Sequence, residues 1–434
     1  MNKNRFLPTL LVVALLGTII ELDMSVPSFP DIARALDASE SSVQLTVTYN
    51  FLGYCLGALA YGPLSDRFGR RGVMLVGNGI MLAGALGCAV APSIEFLLVS
   101  RFVQGIGAST SVVLVFVIIA DVYEGTRLLK MFGLTNAAMS TFMTAAPALG
   151  GLVNRTLGWR GNYAVVFAVT LVSLLLMALF LPETKAERVK VSARQVAGDY
   201  RRLLRSGEFV AASLVPSLLF AAYMVFIAAS SFLYTDTYGL STLAFAGNLL
   251  VIVASFAVTS LLATKIMELL GGPGRTVACS ITATLAGVAL FLALGDGPVS
   301  TTASLAVFCV GFAAVYPIVF GRSLQVFPEL QGAASSLNMS GRALLVTVFT
   351  GAASSLFTGD AVVTAAVMAV ATVAAVPLAF LRPRTPAGEQ SPPRSDAMTG
   401  TGCPDPRRGA TECRLLVETT SVLEEMECRR VTFV

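Results

Sequence analysis

Gly62-Pro63-Leu64-Ser65-Asp66-Arg67-Phe68-Gly69-Arg70-Arg71 is a short charged link joining two apolar runs, 42–63 and 72–91. Each run is close to the ~20 residues that an α-helix needs to cross about 30 Å of hydrocarbon. The link therefore reads as a tight turn on one membrane face. Its glycines permit a sharp reversal, Asp66 can meet a helix N-terminus or an arginine, and Arg67, Arg70 and Arg71 suit the cytoplasmic side.

The same alternation continues in both directions. Apolar runs at 6–29, 42–63, 72–91, 95–119, 131–153 and 162–181 precede a charged connector, 182–208. A second set follows at 209–234, 242–263, 275–295, 299–321, 332–357 and 361–381. These predict twelve transmembrane helices in two six-helix bundles, 1–181 and 209–381, an all-α membrane protein. Two halves of similar length suggest a parallel repeat with a substrate site at mid-membrane between them. Residues 382–434, rich in Pro, Gly, Ser, Thr and Arg, predict a disordered tail with at most a short helix at 415–426.

Only 13% of the 434 residues are charged and 55% are hydrophobic, a composition unable to clothe a water-soluble surface. One set of links carries Lys3, Arg5, the Arg67–Arg71 cluster and the basic connector, whereas the other carries only Arg34, Arg155 and Arg160. The positive-inside rule then sets both termini in the cytoplasm. The net charge of +4 forms no continuous basic face, so no nucleic-acid partner is expected. Cys55, Cys88, Cys279 and Cys309 fall in apolar runs and Cys403, Cys413 and Cys428 in the tail, spacings that suit free thiols. Histidine is absent, which removes the usual zinc ligand and neutral-pH proton carrier. No H-E-x-x-H, no nucleophile with a base and no phosphate loop is present, so no enzyme, no metal, no cofactor and no ATP-driven pump is expected. Proton chemistry falls to carboxylates.

The link pattern G-x-L-S-D-R-x-G-R-R resembles the loop signature of the major facilitator superfamily. Arg101-Phe102-Val103-Gln104-Gly105-Ile106-Gly107-Ala108 resembles that superfamily's R-x-x-Q-G-x-G-A stretch. Pro147-Ala148-Leu149-Gly150-Gly151 is similar to the antiporter motif of drug:proton exporters, although Ala146 replaces the usual glycine and Phe142 stands where an earlier glycine is usual. Asp23-Met24-Ser25-Val26-Pro27-Ser28-Phe29-Pro30 is similar to the first-span motif of the Bcr/CflA branch, exporters of bicyclomycin and phenicols. The resemblance covers the chain up to the tail and is carried mainly by the first half. It implies a conformational latch of Gly62, Asp66, Arg67, Gly69, Arg70 and Asp121, with Asp66 meeting the eleventh helix near Gly332.

An ionised group at mid-bilayer costs about 2.5–3.5 kcal/mol even on insertion scales, so Glu21, Asp23, Arg101 and Arg342 are functional candidates. Depth along the helices permits Asp23 to pair with Arg101, as the resemblance also suggests, and Glu21 with Arg342. Proton coupling is expected of Asp23, Glu21 and Arg101: a carboxyl alternates between a neutral form favoured by burial and an ionised form favoured by water or arginine. A static ion pair is the alternative. Arg342 either binds an anionic substrate or neutralises Glu21.

Polar and aromatic residues on the cavity helices give a candidate substrate set of Tyr49, Asn50, Tyr54, Gln104, Asn136, Tyr223, Tyr316 and Arg342, with Asn248 and Asn338 behind them. Each of them also suits helix-to-helix hydrogen bonding. The expected function is a proton-coupled antiporter in the inner membrane, a monomer whose partners are small amphipathic molecules, protons and the bilayer. Export of an endogenous metabolite or siderophore, proton-coupled import on the same fold, and a non-transporting receptor are the alternatives.

Overall fold

A computed structural model describes residues 7–185, 192–327 and 330–380. The expected disordered tail and its short helix lie outside them. Thirteen α-helices follow in order: α1 (Leu7–Asp23), α2 (Phe29–Ala35), α3 (Glu40–Phe68), α4 (Arg70–Ala89), α5 (Ile94–Val122), α6 (Gly125–Phe180) and α7 (Ala193–Arg205). The second half comprises α8 (Gly207–Phe232), α9 (Thr242–Leu269), α10 (Pro273–Leu294), α11 (Pro298–Gln325), α12 (Gln331–Leu356) and α13 (Ala361–Ala379).

Among the described residues nine segments are long and apolar enough to cross a membrane. One of these, 141–180, covers the fifth and sixth expected spans, because α6 stays helical through their link and breaks only at Gly158, where φ is 71°. With α3 and α12, whose sequences are richer in Ser, Thr and Gly, this accounts for all twelve expected crossings. The twelve crossings form two six-helix bundles, α1–α6 and α8–α13, and α7 is an extra amphipathic helix within the connector.

The helix starts follow from residues just outside the apolar runs. Ser39, Ser93, Ser206 and Ser241 each accept a hydrogen bond from a backbone N–H in the first turn of α3, α5, α8 and α9. Pro273 and Pro298 begin α10 and α11, where a missing N–H costs nothing.

Small residues let helices touch backbone to backbone. A Cβ on Gly105 of α5 would lie 1.9 Å from the Asn50 carbonyl oxygen of α3, a contact only glycine permits. Between the halves, α3 runs along α12. The Thr48 and Thr350 hydroxyls are 2.8 Å apart, and Ser340 Oγ donates to the Cys55 carbonyl at 2.8 Å. At one end Phe29 packs against Phe232, and Phe232 against Phe357. At the other, Leu203 of α7 is buried with Phe209 and Ala334, while Tyr200 Oη donates to the Leu59 carbonyl at 3.1 Å. The connector helix thus touches both halves.

Candidate functional site

Between the halves lies a cavity of about 180 Å³. From the first half it is lined by Glu21, Asp23, Asn50 and Tyr54, and from the second by Phe220 and Arg342. Methionines complete it: Met139, Met143, Met224 and Met339. Two carboxylates and a guanidinium therefore border one mostly apolar chamber.

Arg101 is the most enclosed charge, 0% exposed, and its partner is Glu21, 4% exposed, with Nη1 and Oε2 3.6 Å apart. This corrects the expected Asp23–Arg101 pairing. Depth along a helix leaves rotation undetermined, and about 200° separates residues two apart, so only one of the two acids can face α5. Asn50 holds the pair in place: its Nδ2 donates to Glu21 Oε1 at 3.4 Å and to the Arg101 carbonyl at 3.3 Å. Arg101 Nη1 also donates to Gln104 Oε1 at 2.8 Å, and the guanidinium lies 5.9 Å from the Tyr163 ring. Gln104, expected to contact substrate, instead orients this arginine. Asp23 faces the cavity near Tyr223 and has no hydrogen bond or ion pair among the described residues.

Arg342 does not reach Glu21 either. It donates from Nη2 to Tyr316 Oη and lies 5.2 Å from the Phe220 ring, 5.1 Å from Tyr316 and 5.8 Å from Phe320. Each such ring contributes about 0.5–2 kcal/mol, which partly offsets the cost of a charge at this depth. No carboxylate forms an ion pair with Arg342 among the described residues, and its buried Nε has no hydrogen-bond partner there.

The link at 62–71 folds around one side chain. Gly69, with φ of 95°, ends α3 and starts α4, a conformation that L residues rarely adopt. This turns Arg70 inward, 7% exposed, where it donates to Ser65 Oγ at 2.6 Å, Asp66 Oδ1 at 2.8 Å and Asp121 Oδ2 at 2.9 Å. Its backbone N–H donates to Glu183 Oε1 at 2.8 Å, and Lys185 pairs with Asp66. Two expectations need correction. Among the described residues Arg67 joins no ion pair and lies over the Phe68 ring, since it belongs to the last turn of α3 whereas Arg70 starts α4 beyond the turn at Gly69. Asp66 is held by Arg70 and Lys185, and no side chain caps α12. Asp66 and Gly332 do line one cavity of about 330 Å³, with Gly62 opposite Ser336. Because Asp66 and Asp121 are partly exposed, Arg70→Gln is expected to cost about 1–3 kcal/mol, against little for Arg67→Gln. The melting midpoints of the two purified variants, compared with wild type, check this.

Pro147, Gly150 and Gly151 lie on α6 where it meets both halves. A Cβ on Gly150 would lie 2.1 Å from the Met24 carbonyl oxygen, next to Asp23, and one on Gly151 would lie 2.9 Å from Ala246 Cβ of α9. The stretch is a contact surface for α1 on one side and for the second half on the other. Pro147, inside the helix, frees a backbone carbonyl one turn earlier, at Met143 on the cavity wall.

A sequence model of the Major Facilitator Superfamily matches residues 11–350. The chain belongs to that superfamily. It is 31% identical over 300 residues, 62% of this chain and 74% of the relative, to an uncharacterised MFS-type transporter of Bacillus subtilis. It is 26% identical over 354 residues, 78% of this chain and 86% of the relative, to a bicyclomycin resistance protein homolog of Haemophilus influenzae. The fold matches the xylose transporter XylE of Escherichia coli in a partially occluded inward-open conformation, with a TM-score of 0.67 over 85% of this chain and 95% of that one at 15% identity. The protein is thus a multi-pass membrane transporter for small molecules.

Within this superfamily member the expected substrate residues divide. Asn50, Tyr54 and Arg342 line the cavity, Tyr316 supports Arg342, and Tyr223 is buried near Asp23. Tyr49, 37% exposed, turns away, one residue and about 100° from Asn50. Asn248 accepts from Thr302 and Asn338 donates to Ser323, both bonds between helices outside the cavity. The side chain of Asn136 lies outside the described residues. The four methionines and Phe220 were not singled out from sequence, because apolar residues are the background of every span.

Proposed function

We propose that this transporter is a proton-coupled antiporter in the inner membrane, exporting small amphipathic molecules, drugs among them, by alternating access. The observation that carries this reading is the cavity itself. It joins an Arg101-bound Glu21 and an unpaired Asp23 to an adaptable apolar wall between the two halves. Methionine is flexible and polarizable, so a wall with four of them suits ligands of varied shape. The named relative in Haemophilus influenzae points to antibiotic efflux. The bias of Lys and Arg toward one set of links supports cytoplasmic termini. The moving bodies are 1–181 and 209–381, linked by 182–208, and the working unit is a monomer.

In this scheme Asp23 takes or releases the proton, while Glu21 and Arg101 set the field it feels. Water reaching the cavity favours the ionised carboxylate, and a dry, closed cavity favours the neutral one. A substrate that occupies the chamber only when the proton has left is exchanged for it. The test is proton release from purified protein on addition of candidate drugs, for wild type, Asp23→Asn and Glu21→Gln. Release by wild type that Asp23→Asn abolishes while binding survives supports the reading. Binding without release by wild type overturns the coupling.

A further inference from the structure

Asp23 and Arg342 stand on opposite halves of the same cavity, the acid on α1 and the base on α12. They form no ion pair with each other, and neither has an oppositely charged partner among the described residues. The remaining ionic groups of the cavity, Glu21 and its neighbour Arg101, are matched to each other. The chamber therefore presents one unmatched negative end and one unmatched positive end.

We infer that the cavity takes zwitterionic aromatic molecules, a carboxylate held by Arg342 and a cationic or proton-donating group facing Asp23. The inference rests on the reading of this cavity as the transport site. Arg342 is arranged to receive an anion: rings of Phe220, Tyr316 and Phe320 fix the guanidinium, and its buried Nε is left without a partner. A planar guanidinium with N–H capacity to spare beyond the bond to Tyr316 matches the two oxygens of a carboxylate, which an ammonium would not do as well. Of these rings Phe220 lines the cavity, together with Phe51 and Tyr54 of the first half, and gives an aromatic ligand body a surface to stack on.

Coupling narrows the class further. An anion alone makes the cavity hold its proton more tightly, which opposes exchange. A ligand that also brings positive charge to Asp23 favours the ionised carboxylate and releases the proton to water. Proton release thus requires the ligand's positive end, and Arg342 accounts for the negative one.

The experiment measures equilibrium dialysis of the purified full chain with 3-(2-naphthyl)alanine, its cationic methyl ester, its anionic N-acetyl derivative and the neutral N-acetyl methyl ester. Wild type is expected to bind the zwitterion at least about tenfold tighter than any of the other three. Arg342→Gln is expected to weaken the two carboxylates about tenfold and leave the ester unchanged, with Arg342→Lys between. Asp23→Asn is expected to weaken the zwitterion and the ester alone. Equal affinities in wild type, no binding of the zwitterion, or a loss in Arg342→Gln shared by all four compounds overturns the inference, the last because it marks a packing role. Proteoliposomes separate this from the export reading. If the charge pattern holds but an imposed proton gradient moves no zwitterion, export falls and the ligand class stands; if a gradient drives neutral drugs while the charge pattern is missing, the reverse follows.

Discussion

Replacing Arg101 by methionine is expected to abolish transport and to lower the melting midpoint of the purified protein by several degrees. The substitution keeps apolar bulk but leaves Glu21 enclosed, with Asn50 as its only remaining polar contact among the described residues. Removing one member of a buried ion pair costs about 3–5 kcal/mol, less whatever the orphaned carboxyl recovers by taking a proton. Gln104 loses its arginine donor as well and is left with the Cys88 thiol, 3.6 Å away. The double variant Glu21→Gln with Arg101→Met restores two neutral groups. It should regain most of the lost stability without regaining transport, and the cycle of single and double variants gives the coupling energy directly. Additive losses would mean that the two side chains do not act as a pair.

The second large effect is expected at Gly150. Adding one methyl group in Gly150→Ala places it 2.1 Å from the Met24 carbonyl oxygen, and both atoms belong to backbone that cannot rotate away. Overpacking of this kind costs about 1–3 kcal/mol, and here the strain falls on the Met24–Ser25 peptide unit, one residue beyond Asp23. Helices α1 and α6 must part, so transport is expected to fall tenfold or more even where the protein still purifies. Gly247→Ala is the control, because nothing lies within 4 Å of its added carbon. Uptake of a labelled substrate into inverted membrane vesicles compares the two; equal rates would remove Gly150 from the coupling machinery.

These residues also show which parts of the molecule were legible in sequence. The link at 62–71 could be read because its charges are close in the chain and one glycine with a positive φ fixes their geometry. The twelve crossings could be read because run length against bilayer thickness is a one-dimensional question. The pairing of Glu21 rather than Asp23 with Arg101 is a question of rotation about a helix axis, and apolar residues surround every span on all sides. Tyr49 and Asn50 illustrate the same ambiguity between neighbours. Arg342 stood out by its cost, yet its rings come from α8 and α11, which only the packed bundle brings beside it. The role of Arg70 over Arg67 likewise depended on the turn made at Gly69.

The seam between α3 and α12 has a mechanical consequence. The Thr350 hydroxyl that meets Thr48 across the seam also donates to the Val346 carbonyl of its own helix, at 2.7 Å. Since the one hydrogen of that hydroxyl is spent within its own helix, Thr48 is the donor across the seam, and parting the helices takes their acceptors from the Thr48 and Ser340 hydroxyls. The seam is a catch: it holds the two bodies together until water or new partners replace those acceptors, and the Phe29–Phe232 contact adds to it at one end.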